Sequence, residues 1–169
     1  MTRFRLLAAA VLTLSLAGCG FHLRSAIDLP SDLGPVKVSS TTQYSPLVSS
    51  LEQGLRSSGA VLADEGAEGK TASLQILSER WGNVPIAIDQ YGRAQEYSMR
   101  YATVFVFRRA DGTDLVPQQV VELSRDYVSS PEDVTGTTTE REVIAEELRR
   151  EMAASILRRV DGVLRVSGQ

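Results

Sequence analysis

The chain has one cysteine and one histidine in 169 residues, and only two of its 18 cationic side chains, Lys37 and Lys70, are lysines. A single thiol excludes an intrachain disulfide framework and any multi-thiolate zinc site, and a single imidazole leaves little material for histidine-based metal or triad chemistry. Gly-x-Ser-x-Gly, a phosphate-cradling glycine loop, His-Glu-x-x-His and a calcium-loop pattern are all missing, so the common catalytic signatures do not occur. No apolar run reaches the roughly 20 residues that a spanning helix needs. Hydrophobic residues at 43% and charged residues at 23% are ordinary globular usage, which excludes collagen, wholesale disorder and a polytopic membrane protein. The length fits one domain, or one plus a tail.

What is present begins at the N-terminus. Arg3 and Arg5 precede an uncharged segment, Leu6 to Ala17, too short to cross a bilayer and suited to the core of a signal peptide with a positive flank. It ends in Leu16-Ala17-Gly18-Cys19. This resembles the lipobox of bacterial lipoproteins, in which the cysteine thiol takes up diacylglycerol and the residue then becomes the new, acylated N-terminus. The alternative is a plain signal peptide cut at another small residue. On the lipobox reading Cys19 is the lipid attachment point, an N-palmitoyl and S-diacylglycerol cysteine. At about 0.8 kcal/mol for each buried methylene, two or three acyl chains anchor a protein stably where one does not. Gly20 stands where the aspartate of inner-membrane retention would stand, which favours the outer membrane. Loss of residues 1–18 removes Arg3 and Arg5 and leaves 16 cations against 21 anions. That balance carries no nucleic-acid footprint, so no nucleic-acid partner is expected.

The mature chain is expected to divide into a lipidated tether at 19–35, one α+β domain at 36–164 and a short tail at 165–169. Val36 to Ser40 is a short alternating strand. Ser45-Pro46 starts a helix, with a capping serine before a first-turn proline, and Gly59 stops it; its apolar stripe is Leu47, Val48, Leu51 and Leu55. A second strand is expected from Thr71 to Trp81, through Leu74, Ile76 and Leu77. From 94 to 109, Met99, Tyr101, Thr103, Phe105 and Phe107 point one way and Arg100, Ala102, Val104 and Val106 the other. Asp111-Gly112 turns the chain into a return strand from Leu115 to Val128, with Val121, Leu123 and Tyr127 on one face. A polar loop from Ser129 to Thr138 leads to the last helix, which Thr139 and Glu142 open as a capping box and Gly162 closes. Ile144, Leu148, Met152, Ile156 and Val160 form its buried face. The order β-α-β-β-β-α predicts two helices packed on one face of a four-stranded mixed or antiparallel sheet.

His22 lies three residues from Cys19, in a tether where a general base has no fixed reach to a substrate. Glu146-Glu147 and Asp64-Glu65 are paired carboxylates of the kind common on solvated faces, and Glu146 has the spacing of an ion pair with Arg150. The chain is therefore expected not to be an enzyme, with no cofactor and no metal site.

The junction Cys19-Gly20-Phe21-His22-Leu23-Arg24 resembles the mature start of the LPS-assembly lipoprotein family, LptE. The element order, the stretch Gln90-Tyr91-Gly92-Arg93-Ala94-Gln95-Glu96-Tyr97-Ser98-Met99, and Arg125-Asp126-Tyr127 with Pro131 look like the same family. The resemblance covers nearly all of the mature chain, to about Leu164. It implies a non-enzymatic lipoprotein of the outer membrane that faces the periplasm. Such a protein would sit as a plug in the lumen of the LptD β-barrel, help it assemble as a heterodimer, and bind lipopolysaccharide on its way to the outer leaflet. The arginine excess suits phosphate, which the planar guanidinium binds bidentately. Arg93 at the turn Asp89–Arg93, with Arg80 and Arg100 on the flanking strands, are the lipopolysaccharide candidates. Tyr91 and Trp81 are the candidate barrel anchors, since buried aromatics dominate interfaces. Pro131 to Thr137 departs from the family in being acidic and neutral, so the resemblance carries no lipid contact to that loop. The other class of function left open is a free outer-membrane lipoprotein that binds a small periplasmic ligand or peptidoglycan.

A Cys19→Ala variant is expected to lose acylation and lipoprotein-type processing, read by mass analysis of the membrane-extracted protein; normal acylation would show that the lipobox was misread.

Overall fold

The computed structural model describes residues 29–30, 33–63, 71–129 and 134–167. In chain order the elements are β1 (Val36–Ser40), α1 (Pro46–Ser57), β2 (Ala72–Ile88), β3 (Ala94–Arg108), β4 (Asp114–Val128) and α2 (Val134–Ser167). The sheet order is β1-β2-β3-β4, with β1 parallel to β2 and the other neighbours antiparallel. The fold is thus the expected α+β arrangement, a mixed four-stranded sheet with two helices.

The ends of α1 follow from local chemistry. Ser45 is the N-cap, its hydroxyl accepting the Leu47 N–H at 3.2 Å, and Pro46 occupies the first turn, where its missing N–H is no loss. At the other end Gly59 adopts φ +84°, the left-handed conformation a side chain resists. The Ala60 N–H then donates to the Leu55 carbonyl and the Gly59 N–H to that of Arg56, both at 3.0 Å, the paired closure of a Schellman stop. Leu47, Leu51 and Leu55 are fully buried, while Val48 is partly so.

β3 is the central strand. Met99, Tyr101, Thr103, Phe105 and Phe107 are all buried, and α2 lays Ile144, Leu148, Met152, Ile156 and Val160 over the same core. Each of the aliphatic, methionine and phenylalanine side chains among them contributes about 1.5–3 kcal/mol of transfer free energy. The two helices meet where α1 has no side chain: a Cβ at Gly54 would collide with the Leu157 Cδ1.

Four boundaries differ from the sequence expectation. β2 continues past Trp81 to Ile88, pairing with β3 as far as Ile88↔Ala94. The last helix starts at Val134, so Thr139 and Glu142 lie inside it and form no capping box at its start. Gly162 does not stop it either: it is exposed on a helix that runs on to Ser167, where a solvent-facing glycine costs only about 1 kcal/mol. Arg165, expected in a tail, is helical and its Nε donates to the Asp161 Oδ1 at 2.9 Å. At the N-terminal side Leu33, expected in the tether, is a buried core residue.

The strands are not uniform ladders. A register shift between Ile76 and Ser78 marks a bulge at Leu77, and another on β4 lies between Val116 and Gln119. Both flank the level of Phe105 on β3. Each bulge switches the alternation of its strand. Leu74 and Ile76 therefore share the helix-facing side with Glu79 and Trp81, and Val116 shares it with Val121 and Leu123.

Leu148→Ala is expected to cost about 2–5 kcal/mol in urea unfolding, whereas Val166→Ala, at a residue 79% exposed on the same helix, should stay within about 0.5 kcal/mol.

Candidate functional site

The β2–β3 hairpin carries all five candidate residues that lie among the described ones. Its tip is built by one carboxylate. The Asp89 Oδ1 accepts the N–H of Tyr91 at 2.8 Å and of Arg93 at 2.9 Å, and its Oδ2 accepts the Arg93 Nε at 2.7 Å and the Gln95 Nε2 at 3.3 Å. The Gly92 N–H donates to the Asp89 carbonyl at 3.0 Å, with Gly92 at φ +75°. This is a type I turn closed by a left-handed glycine. The hydrogen bond from the Arg93 N–H is the largest cause holding the Asp89 carboxyl below its ordinary value, against a smaller opposing effect of burial. The β3–β4 turn repeats the backbone closure, with Gly112 at φ +87°, but Arg109 stands in the place of Asp89, and Asp111 inside the turn accepts the Thr113 N–H at 2.9 Å.

Arg93 is therefore not a loose tip arginine. Its Nε is committed to Asp89 and its guanidinium lies 5.3 Å from the centroid of Tyr91. The rest of its fork faces solvent, with the side chain 62% exposed. Tyr91 is 74% exposed.

Arg80 and Arg100 stand elsewhere. They lie on the outer face of the sheet, away from the helices, Arg80 opposite Ala102 and Arg100 opposite Gly82. This puts them on the diagonal of adjacent strands, roughly 7–8 Å apart at the backbone. With Val104, Val120 and Glu122 they line an open trough of about 390 Å³. Arg100 reaches Glu122 at 4.0 Å, both half exposed, while Arg80 makes no ion pair among the described residues. From Arg80 to the tip the strand runs eight residues to Ile88, on the order of 26 Å, so Arg93 does not share a site with the other two.

Trp81 is on the inner face. Its ring stacks on Tyr101 at 3.9 Å between centroids, and the Arg149 guanidinium from α2 sits 5.3 Å from its centroid. The Tyr101 O–H donates to the Glu79 Oε2 at 2.6 Å, and the Ser40 hydroxyl to the Oε1 at 3.0 Å. Burial, then the bond to Glu79, pushes the Tyr101 hydroxyl well above its usual range, so it stays a donor at any physiological pH. Arg149 is held in turn by Glu146 at 3.3 Å; that pairing, at a spacing of three, replaces the expected one with Arg150. Beside the stack, Asn83 and Met99 on the sheet and Arg141 and Glu142 on α2 enclose a cleft of about 520 Å³.

Neither this stack nor the cleft was foreseen from sequence, because Trp81 and Arg149 are 68 residues apart and the bulge at Leu77 decides which face Trp81 takes. The role of Asp89 had a signal, an Asp three residues before a Gly. Cys19, His22, Asp64, Glu65 and the segment from Pro131 to Asp133 lie outside the described residues. Among the described residues no group of three or more His, Cys, Asp or Glu is placed to hold a metal ion. No described helix is long and apolar enough to cross a membrane.

Solved structures of similar fold include rare lipoprotein B from Shewanella oneidensis and an uncharacterized lipoprotein B from Nitrosomonas europaea. The first superposes with a TM-score of 0.69 at 19% identity over 80% of this chain and all of its own. The second has a TM-score of 0.69 at 20% identity, over 84% of this chain and 90% of its own. At such identities they speak for the fold alone. Among curated proteins, the LPS-assembly lipoprotein LptE of Pectobacterium atrosepticum is 28% identical over 144 residues, 85% of this chain and 77% of its own. The LptE of Photorhabdus laumondii is 26% identical over 155 residues, 92% of this chain and 82% of its own. A family model described as LptE, lipopolysaccharide-assembly, matches residues 33–160, and with most of the folded chain inside that match, this protein belongs to the LptE lipopolysaccharide-assembly family.

Proposed function

We propose that this chain is an outer-membrane lipoprotein, anchored through Cys19, that acts in lipopolysaccharide assembly. It pairs with an LptD-like β-barrel as a heterodimer, sits in the barrel lumen as a plug, and presents the Asp89–Arg93 tip to lipopolysaccharide. Family membership supports the assembly role. The observation that carries the partner is the far half of the β2–β3 hairpin, where Trp81, Val84, Ile86, Ile88 and Tyr91 are all exposed, Ile88 to 69%. These side chains lie on both faces and at the tip of one projecting hairpin arm, and so much exposed apolar surface on one element marks an interaction surface. Tyr91 and Trp81 supply the aromatic anchors at its two ends.

Arg93 suits the lipid. Asp89 fixes its Nε side, which removes much of the rotamer freedom that binding would otherwise have to quench, and leaves the terminal donors directed at solvent. A phosphate oxygen there gains a charge-assisted hydrogen bond from a preorganised donor. The role needs no catalytic group.

Mass analysis of the detergent-extracted complex is expected to show a triacylated chain from Cys19 onward with one barrel-sized partner. Recovery of the chain alone would sink the plug reading in favour of a free lipoprotein binding a small periplasmic ligand or peptidoglycan. Arg93→Ala should weaken lipopolysaccharide binding about tenfold at low ionic strength, the loss of one charge-assisted bond of roughly 1.5 kcal/mol. The difference should shrink with added salt as the Debye length falls to about 8 Å and below; equal affinity of variant and parent at low salt would reject that role.

A further inference from the structure

The edges of the sheet are treated unequally. The start of β1 is covered, with the Val36 N–H donating to the Val61 carbonyl at 2.8 Å and the Ala63 N–H to the Val36 carbonyl at 2.9 Å. On the opposite edge β4 carries Pro117, the charges Asp114, Glu122, Arg125 and Asp126, and a helix-borne cover: the Arg159 guanidinium donates to the Val120 carbonyl at 3.0 Å. β2 is different. β1 has five residues against its seventeen, and the pairing ends at Ser40↔Ile76. Thr41 closes the junction, its N–H donating to the Ile76 carbonyl at 3.0 Å and its hydroxyl to the Leu77 carbonyl at 2.9 Å. Among the described residues nothing pairs with β2 beyond that point. The result is a notch in line with β1, and every β2 side chain from Arg80 to Ile86 is exposed.

Proline tells which backbone groups face the notch. Pro85 stands opposite Tyr97 at the end of a ladder unbroken from Ser78, just before the shift between Pro85 and Ala87, and a proline is tolerated there with its missing N–H toward the open edge. The Ser129 N–H donates to the Gln95 carbonyl, which turns the odd-numbered β3 residues, Tyr97 included, toward β4 and agrees with this. No register shift separates Ser78 from Pro85, so by the two-residue period Glu79, Trp81 and Asn83 also direct their N–H and C=O outward. Among the described residues these six groups are unpaired, a template for an incoming strand. Pro85 ends the template.

We infer that the β2 edge at Glu79–Asn83 is a seat for strand addition, filled by an extended segment of the barrel partner. This deepens the function proposed above and rests on it. The chemistry of the occupant follows from what flanks the seat. Trp81 on the inner face and the uncharged run from Trp81 to Ile88 call for apolar, uncharged neighbours. On the outer face Arg80, without an ion pair among the described residues, calls for a carboxylate beside it. A second copy of this chain fits poorly. Antiparallel two-fold pairing centred on Trp81, the middle of the seat, would set Arg80 of each copy diagonal to Arg80 of the other on the outer face, two like charges where a carboxylate is called for.

The test is the co-expressed, lipidated full-length chain with its barrel, in three forms: parent, Asn83→Ala and Asn83→Pro. The alanine variant keeps the outward N–H and sets the level against which the proline variant is read, whatever the side chain itself contributes. The proline variant removes that N–H alone, as Pro85 already does two residues on, and should recover about fivefold less or lower. Equal recovery with alanine and proline would overturn the seat while leaving the plug reading intact, whereas a parent chain recovered without a barrel would end both. Should the proline variant fail to fold, hydrogen exchange on the parent decides. The amides of Glu79, Trp81 and Asn83 are expected to slow at least tenfold in the complex relative to the free chain, and unchanged exchange there would overturn the proposal. Self-association of the purified chain that the proline variant abolishes would likewise overturn it, by naming a second copy as the occupant.

Discussion

One row of side chains governs the molecule: Met99, Tyr101, Thr103, Phe105 and Phe107 on the central strand, all buried under α2. β3 carries this row without a bulge of its own, and the two strands beside it make the adjustment. Both shift register at the level of Phe105. The shift on β2 has the larger consequence. Without the extra residue at Leu77, Trp81 would fall on the outer face with Arg100, and Arg80 would turn inward. With it, Trp81 lies on Tyr101, Glu79 lies within reach of the Tyr101 hydroxyl, and Arg149 closes the stack from the helix. A single inserted residue thus ties α2 to the root of the hairpin and separates the aromatic surface from the arginine trough.

The parts of this fold that could be read in the sequence are those fixed by neighbours within a few residues. The alternation of β3, the four-residue repeat of α2, the Ser45-Pro46 cap and the Gly59 stop are local physics, and each appears where its residues require. The far half of β2 is not local. Trp81-Gly82-Asn83-Val84-Pro85 holds three turn formers and reads as the end of a strand; it is extended because β3 pairs with it across the Asp89 turn, and because Pro85 can present its bare nitrogen to the open edge. The start of α2 was hidden in a similar way. Val134-Thr135-Gly136-Thr137-Thr138 is poor in intrinsic helix formers, and Thr139 with Glu142 offers a plausible cap that the helix simply runs through. Gly162 survives inside the same helix since it faces solvent.

The candidate site divided along the same line. Arg93 and Tyr91 were placed by the turn signature around them, and their environment adds Asp89, whose carboxylate gathers both backbone and side-chain donors. Arg80 and Arg100 were placed on flanking strands, but only the register shows that they share the outer face and that Arg93 lies far along the hairpin from them. No residue count could pair Trp81 with Arg149. Arg149 is unremarked in its own segment and Trp81 stands out there only as a candidate barrel anchor; the contact exists through the bulge and the crossing of α2 over the sheet.

The hairpin also explains why the sheet can be asymmetric without being sticky. Two of its edges are guarded by the chain itself, β1 by Val61 and Ala63, β4 by Arg159 and Pro117. The third, along β2, is short of such cover yet bounded: Thr41 occupies its inner end and Pro85 its outer end. An edge left wholly open would pair with any extended chain, and one filled with prolines would pair with none. Three residues of backbone unpaired among the described residues, between two stops, set a length and a register, so a partner must match both, and the apolar side chains beyond Pro85 can then add surface without adding an indiscriminate ladder.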